Sequence, residues 1–143
     1  MTPKEYLSQV AMLNHRIEIK NKQLEDARRR LLSSRGLQYD KERVQNTPRM
    51  DPVGDSVIRF RELEIRIREM TDRYIAQRDM ITDQINSMND DAFIRILSMR
   101  YIDNLKFKSI AHKMGYTEQY VIVLHGKALQ AFGEQYQEYL NIQ

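Results

Sequence analysis

No cysteine occurs in the chain. That excludes a disulfide framework, a thiolate zinc site and a thiol nucleophile. Glycine (5 residues) and proline (3 residues) are scarce, so little interrupts helix formation. No glycine-rich loop of the phosphate-cradling type is present. Aromatics make up only 8%, which leaves few large core residues. No apolar run approaches the ~18 residues that mark a membrane-spanning helix, and the opening residues carry no apolar signal segment. The expected location is the cytoplasm, with no membrane partner. The histidines, His15, His112 and His125, lack metal-ligand spacing. No metal and no cofactor is expected.

What the chain has in quantity is charge, 30% of its 143 residues, with a net +3. The excess is unevenly spread. Residues 1–50 hold 11 Lys/Arg against 6 Asp/Glu, residues 51–90 hold 6 against 9, and residues 91–143 hold 6 against 5. Within 104–129, Lys106, Lys108, Lys113 and Lys127 face Glu118 alone. A local basic excess of this kind permits nucleic-acid binding without requiring it.

The patterning is helical throughout. Thr2, Pro3 and Glu5 form a capping-box start. Val10, Ile17, Leu24 and Leu31 then recur at heptad spacing, interleaved with Tyr6, Leu13, Lys20 and Ala27. Gly36, Asn46, Pro48, Pro52 and Gly54 predict a loop at about 34–55. A second heptad series follows in Phe60, Ile67, Tyr74, Ile81 and Met88, interleaved with Leu63, Met70, Gln77 and Gln84. Each helix is expected to run about 30 residues, or ~45 Å. An apolar stripe has to be buried, so the two are expected to form a long antiparallel, coiled-coil-like hairpin over 1–89. Homodimerisation through that hairpin is expected too. Glu62, Glu64, Glu69 and Asp72 are read as i,i+4 partners of Arg66, Arg68 and Arg73, not as acid–base catalysts. The fold class is all-α, with a C-terminal three-helix unit over 90–143.

That unit carries the functional signal. Asn89 or Asp90 caps a helix at about 91–103 with Phe93, Ile96, Leu97 and Tyr101 on one face, and Asn104 ends it. A helix at about 107–114 carries Ile110, Ala111 and Met114. Gly115 makes a turn, and a further helix starts near 117 with Val121, Leu124, Ala128 and Leu129 inward. Its tail is expected to continue through Phe132, Tyr136 and Leu140. A small residue at 111, glycine at 115 and an aliphatic at 121 have the spacing of a helix-turn-helix, whose second helix enters the major groove. Thr117, Glu118, Gln119, Ile122 and Val123 are the candidate base readers, since Gln suits adenine, Glu suits cytosine and aliphatics suit the thymine methyl. Lys106, Lys108, Lys113, His125 and Lys127 are the phosphate candidates. The run Arg28, Arg29, Arg30, with Arg35, is a further phosphate candidate; its bland reading is a solvated helix end. No catalytic constellation is seen, and the protein is expected not to be an enzyme.

The series Arg100-Tyr101, Asn104-Leu105-Lys106-Phe107, Ile110-Ala111, Met114-Gly115-Tyr116-Thr117 and Val121 resembles the fourth region of bacterial primary sigma factors, which binds the −35 promoter element. With LHGKAL, RVQNTPRMDPVGDSV and MTPKEYLSQV, the chain resembles phage and prophage ArpU-type late transcriptional regulators. The resemblance implies sequence-specific binding to double-stranded DNA and control of late genes, with RNA polymerase as a further partner. The reading positions depart from the sigma pattern. Sigma factors carry Arg where Glu118 and Ile122 stand, Glu at Gln119 and Gln at Val123, while Lys127 matches. A site other than the −35 element is therefore expected. Nothing in the first ninety residues resembles a strand-melting module, which favours an accessory regulator over a stand-alone sigma factor. Two alternatives remain open: a DNA-packaging component like a small terminase subunit, and a module that binds RNA polymerase or a host protein instead of DNA.

Overall fold

The computed structural model describes residues 1–42 and 52–141. All regular structure among them is helical, with no strand. The helices are α1 (Pro3–Glu42), α2 (Pro52–Asn86), α3 (Asp91–Leu97), α4 (Phe107–Met114), α5 (Glu118–Gln135) and α6 (Gln137–Leu140). A π-helical turn, Ser98–Ile102, continues α3, which spreads the single helix expected at 91–103 over two geometries.

Local chemistry accounts for the starts and stops. The Thr2 backbone N–H donates to Glu5 Oε2 at 2.8 Å, and the Glu5 N–H donates to Thr2 Oγ1 at 3.2 Å. The Thr2 N–H first, and then the Thr2 side chain, favour the ionised form and hold the Glu5 carboxyl below its ordinary pKa. Asp90 caps α3 by accepting from the N–H groups of Ala92 and Phe93. Asn104 takes a left-handed conformation (φ 56) before α4, and Gly115 takes one (φ 72) after it.

The loop expected at 34–55 is corrected at both edges. α1 runs through Gly36 to Glu42, and α2 begins at Pro52. Gly36 costs a helix only about 1 kcal/mol, and strong helix formers surround it. Pro52 occupies the first helical position, where no N–H is needed. The expected turn residues Asn46 and Pro48 lie outside the described residues. α1 and α2 are therefore 40 and 35 residues long, and the arginine run at 28–30 is not a helix end. Beyond α5 the tail breaks at Tyr136 before the short α6.

The chain divides into two compact units, Met1–His15 with Ile75–Gln143, and Arg16–Tyr74. The division differs from a boundary at 89/90. Short C-terminal helices alone enclose little core, and the apolar start of α1 and end of α2 add to theirs. In this first unit Leu7, Val10, Leu13, Ile81, Ile85, Ile96, Leu97, Ile110, Val121 and Phe132 are fully buried. The Tyr6 ring lies 6.0 Å from that of Phe132. Tyr6 Oη donates to Gln84 Oε1 at 2.8 Å, and Tyr136 Oη donates to the Gln84 carbonyl at 2.8 Å. So Gln84, a polar member of the heptad series, is buried with its Oε1 and backbone carbonyl hydrogen-bonded and its Nε2 without a partner among the described residues. Gln77 is exposed and donates to Gln9.

In the second unit the Arg16 guanidinium sits 5.8 Å from the Tyr74 ring centroid, and that of Arg28 sits 6.0 Å from the Phe60 ring centroid. Residue numbers thus rise on one helix as they fall on the other. Ile67 is buried here, while Ile17, Leu24, Ala27, Leu31, Phe60, Leu63 and Tyr74 are half-buried and Met70 is exposed. Of the i,i+4 pairs expected on α2, Glu64 and Arg68 form an ion pair.

Candidate nucleic-acid interface

The candidate site is built on α4, Gly115 and α5. α3 and α4 both pack on α5. On α4, Ile110 and Ala111 are buried; on α5, Val121, Leu124, Ala128 and Phe132 are. The N–H groups of Gly115 and Tyr116 both donate to the Ala111 carbonyl, closing α4 in the manner of a left-handed glycine cap. A Cβ at Gly115 would meet nothing within 4 Å. The requirement for glycine there is conformational, set by its positive φ. Two residues on, Thr117 Oγ1 accepts from the Tyr120 N–H at 3.2 Å and caps α5. Part of the hydrogen-bonding capacity of this candidate base reader is thereby committed to the fold.

The remaining candidate base readers are solvent-facing. Glu118 and Gln119 are exposed, and Ile122 and Val123 keep 48% and 55% of their surface in water. Lys106, Lys108, Lys113 and Lys127 are exposed as well. The structure thus gives one unit an open helix start and the basic residues on either side of it in the chain.

His125 is corrected. It is only 7% exposed, and its Nε2 shares a 2.8 Å hydrogen bond with Tyr101 Oη. Burial first, then the charges of Arg100 and Lys4, push its imidazole down from 6.5 to about 4. A neutral, buried ring is a core polar group and not a phosphate contact. Its position one helical turn after Val121 on the inward stripe carried that signal in the sequence. Burial likewise raises the Tyr101 hydroxyl.

Three participants escaped the sequence reading. Tyr116 and Tyr120 form an exposed edge-to-face pair with centroids 4.8 Å apart; their i,i+4 spacing across the cap was the available clue. Arg100 lies 4.2 Å from the Phe107 ring centroid and donates from Nη1 to the Leu105 carbonyl at 3.0 Å. Phe107 in turn meets His125 edge-on at 5.0 Å. Arg100 therefore pins the connection between the π-helical turn and α4. These two Arg100 contacts are local in sequence, and only that of Phe107 with His125 comes from long-range packing.

Arg28, Arg29 and Arg30 are exposed and belong to the Arg16–Tyr74 unit. Arg29 pairs with Glu25, and Arg28 covers Phe60. The side chain of Arg35 lies outside the described residues. Among the described residues no group of three or more His, Asp or Glu is placed to hold a metal, and no helix is long and apolar enough to cross a membrane. No family model, curated protein or solved structure matches the chain, so function rests on this geometry and on residue chemistry.

Proposed function

We propose that the protein is a sequence-specific DNA-binding transcription regulator of the phage late-gene kind, acting through a helix-turn-helix formed by α4 and α5. The observation that carries this reading is the exposed, Thr117-capped start of α5, standing after a left-handed glycine turn. A helix presented this way can enter the major groove with its first residues at the base edges. Glu118, Gln119, Ile122 and Val123 would read bases, while Lys106, Lys108, Lys113 and Lys127 would position the backbone. The sigma-like series from Arg100 to Val121 supports the same assignment. The heptad helices α1 and α2 would form an antiparallel hairpin serving homodimerisation or contact with RNA polymerase.

The test is selection of bound duplexes from random DNA, followed by anisotropy titrations over a range of salt. A selected consensus is expected, with affinity falling linearly in log–log form as salt rises. Lys113→Gln is expected to weaken every sequence alike and to reduce the salt slope by about 1, whereas Gln119→Ala relaxes preference at one base position. Absence of any salt-dependent binding at low ionic strength overturns the proposal.

One observation favours a second reading. Tyr116, Tyr120, Ile122 and Val123 are all exposed large hydrophobics within a short stretch, and clustered exposed apolar side chains mark protein-binding surfaces. RNA polymerase or a host protein would then be the partner. Ile122→Ala with Val123→Ala separates the readings: loss of polymerase binding with DNA binding intact favours the second.

A further inference from the structure

A groove sharing no residue with the α5 face opens between the first turns of α1 and the π-helical turn. It is lined by Lys4, Ser8, Ala11, Arg100, Tyr101 and Asn104, with a volume of about 280 Å³. That is smaller than a typical pocket for a drug-sized ligand, ~300–1,000 Å³, and suits one compact group.

Its chemistry has one sign. Lys4 and Arg100 come from different elements, and neither forms an ion pair among the described residues. No carboxylate lines the groove. Of the acids adjacent in sequence, Glu5 accepts from the Thr2 N–H and Asp103 forms no ion pair with either cation. The positive field reaches beneath the wall. Arg100 and Lys4 both disfavour protonation of His125, which lies behind Tyr101 and shares its hydroxyl hydrogen bond.

The cations are also pre-positioned. The Arg100 guanidinium is held over Phe107 at 4.2 Å, with Nη1 on the Leu105 carbonyl. A planar fork fixed in this way keeps further N–H donors for an oxyanion. The Asn104 amide adds an uncharged donor. The Ser8 hydroxyl donates to the Lys4 carbonyl at 2.6 Å. The π-helical turn places Arg100 and Tyr101 on this wall, and such insertions recur at functional sites.

We propose that this groove binds a phosphoryl group, with Lys4 and Arg100 neutralising it and the Asn104 amide donating a hydrogen bond. A duplex backbone phosphate is one source, and that source rests on the DNA reading above. A free phosphate ester is the other.

The experiment uses the full chain and the Arg100 Nε–H resonance. Inorganic phosphate is titrated at constant ionic strength against chloride, and a short duplex is titrated separately, for the native chain and for Lys4→Glu. Position 4 is exposed, so the variant leaves the core intact. A saturable shift with phosphate, absent with chloride and lost in Lys4→Glu, is the expected result. In the duplex arm Lys4→Glu is expected to weaken all sequences alike and lower the salt slope by about 1. A phosphate shift without duplex binding by the native chain keeps the site, assigns it to free phosphate esters and overturns the DNA reading. Duplex binding that Lys4→Glu leaves unchanged, with no phosphate shift, overturns the site and keeps the DNA reading. A shift equal in chloride, or unaltered in Lys4→Glu, overturns the site as well.

Discussion

At the residue scale, His125 is the side chain with the sharpest consequence. Its folded-state pKa, about 4, lies below the unfolded value of 6.5, so the unfolded chain binds the extra proton between those values. Stability is then full above pH 6.5 and falls as pH drops towards 4. The limit is roughly 3 kcal/mol, since one pKa unit corresponds to about 1.4 kcal/mol. Denaturant midpoints measured from pH 7.5 to 4 should show this loss, and His125→Gln should flatten it. Tyr101→Phe removes the hydroxyl from the same pair and should cost about 1–2 kcal/mol at neutral pH. A second residue-scale prediction concerns Gly115. Alanine meets no steric neighbour there, yet a left-handed conformation costs an L-residue roughly 1–2 kcal/mol. Gly115→Ala should lower thermal stability by that amount, with Gly115→Asn less harmful because Asn visits this region more readily. Equal stability of the three proteins would mean that φ at 115 relaxes.

At the element scale, α5 depends on its cap. Thr117→Ala removes the acceptor for the Tyr120 N–H and should cost about 1 kcal/mol, seen in chemical denaturation. Thr117→Ser or Thr117→Asp should restore it. Caps and turns of this kind are local, which is why Thr2, Asp90, Asn104 and Gly115 could be read from residue type and offset alone, whereas Thr117, read as a base contact, proved to be the cap of α5. The interval after residue 33 could not. Gly36 and Pro52 resemble loop residues, yet one glycine is a small cost inside a strong helix, and proline suits a helix start. The error at His125 has another cause. Residue type pointed outward to phosphate, periodicity pointed inward to the core, and burial beside Tyr101 and Phe107 decided for periodicity. Arg100 and the groove it lines were illegible, because Lys4 and Asn104 become neighbours only when the start of α1 reaches the C-terminal helices. Gly133 marks the same closure: a Cβ there would lie 2.9 Å from Pro3 Cγ, so that approach favours glycine.

At the scale of the whole molecule, the two units differ in how fully they bury their apolar residues. Almost every buried hydrophobic residue lies in Met1–His15 with Ile75–Gln143, whereas Ile67 is the buried one among the described residues of Arg16–Tyr74. Opening free energy follows buried apolar surface locally. Amides in 16–33 and 54–74 should therefore exchange with solvent well before those of α5 in a dilute sample. A half-buried heptad seam of Leu24, Leu31, Phe60 and Leu63 also has apolar surface left for a second copy. If two copies pair through it, exchange in 16–33 and 54–74 should slow as protein concentration rises, while α5 stays unchanged. Binding to the folded form stabilises by mass action, so the slowing should track the dimer fraction measured by sedimentation. Uniform protection of both units at every concentration would contradict the difference in burial. Faster exchange in 16–33 and 54–74, unaltered by concentration, would assign the seam to a different partner and remove homodimerisation from the proposed mechanism.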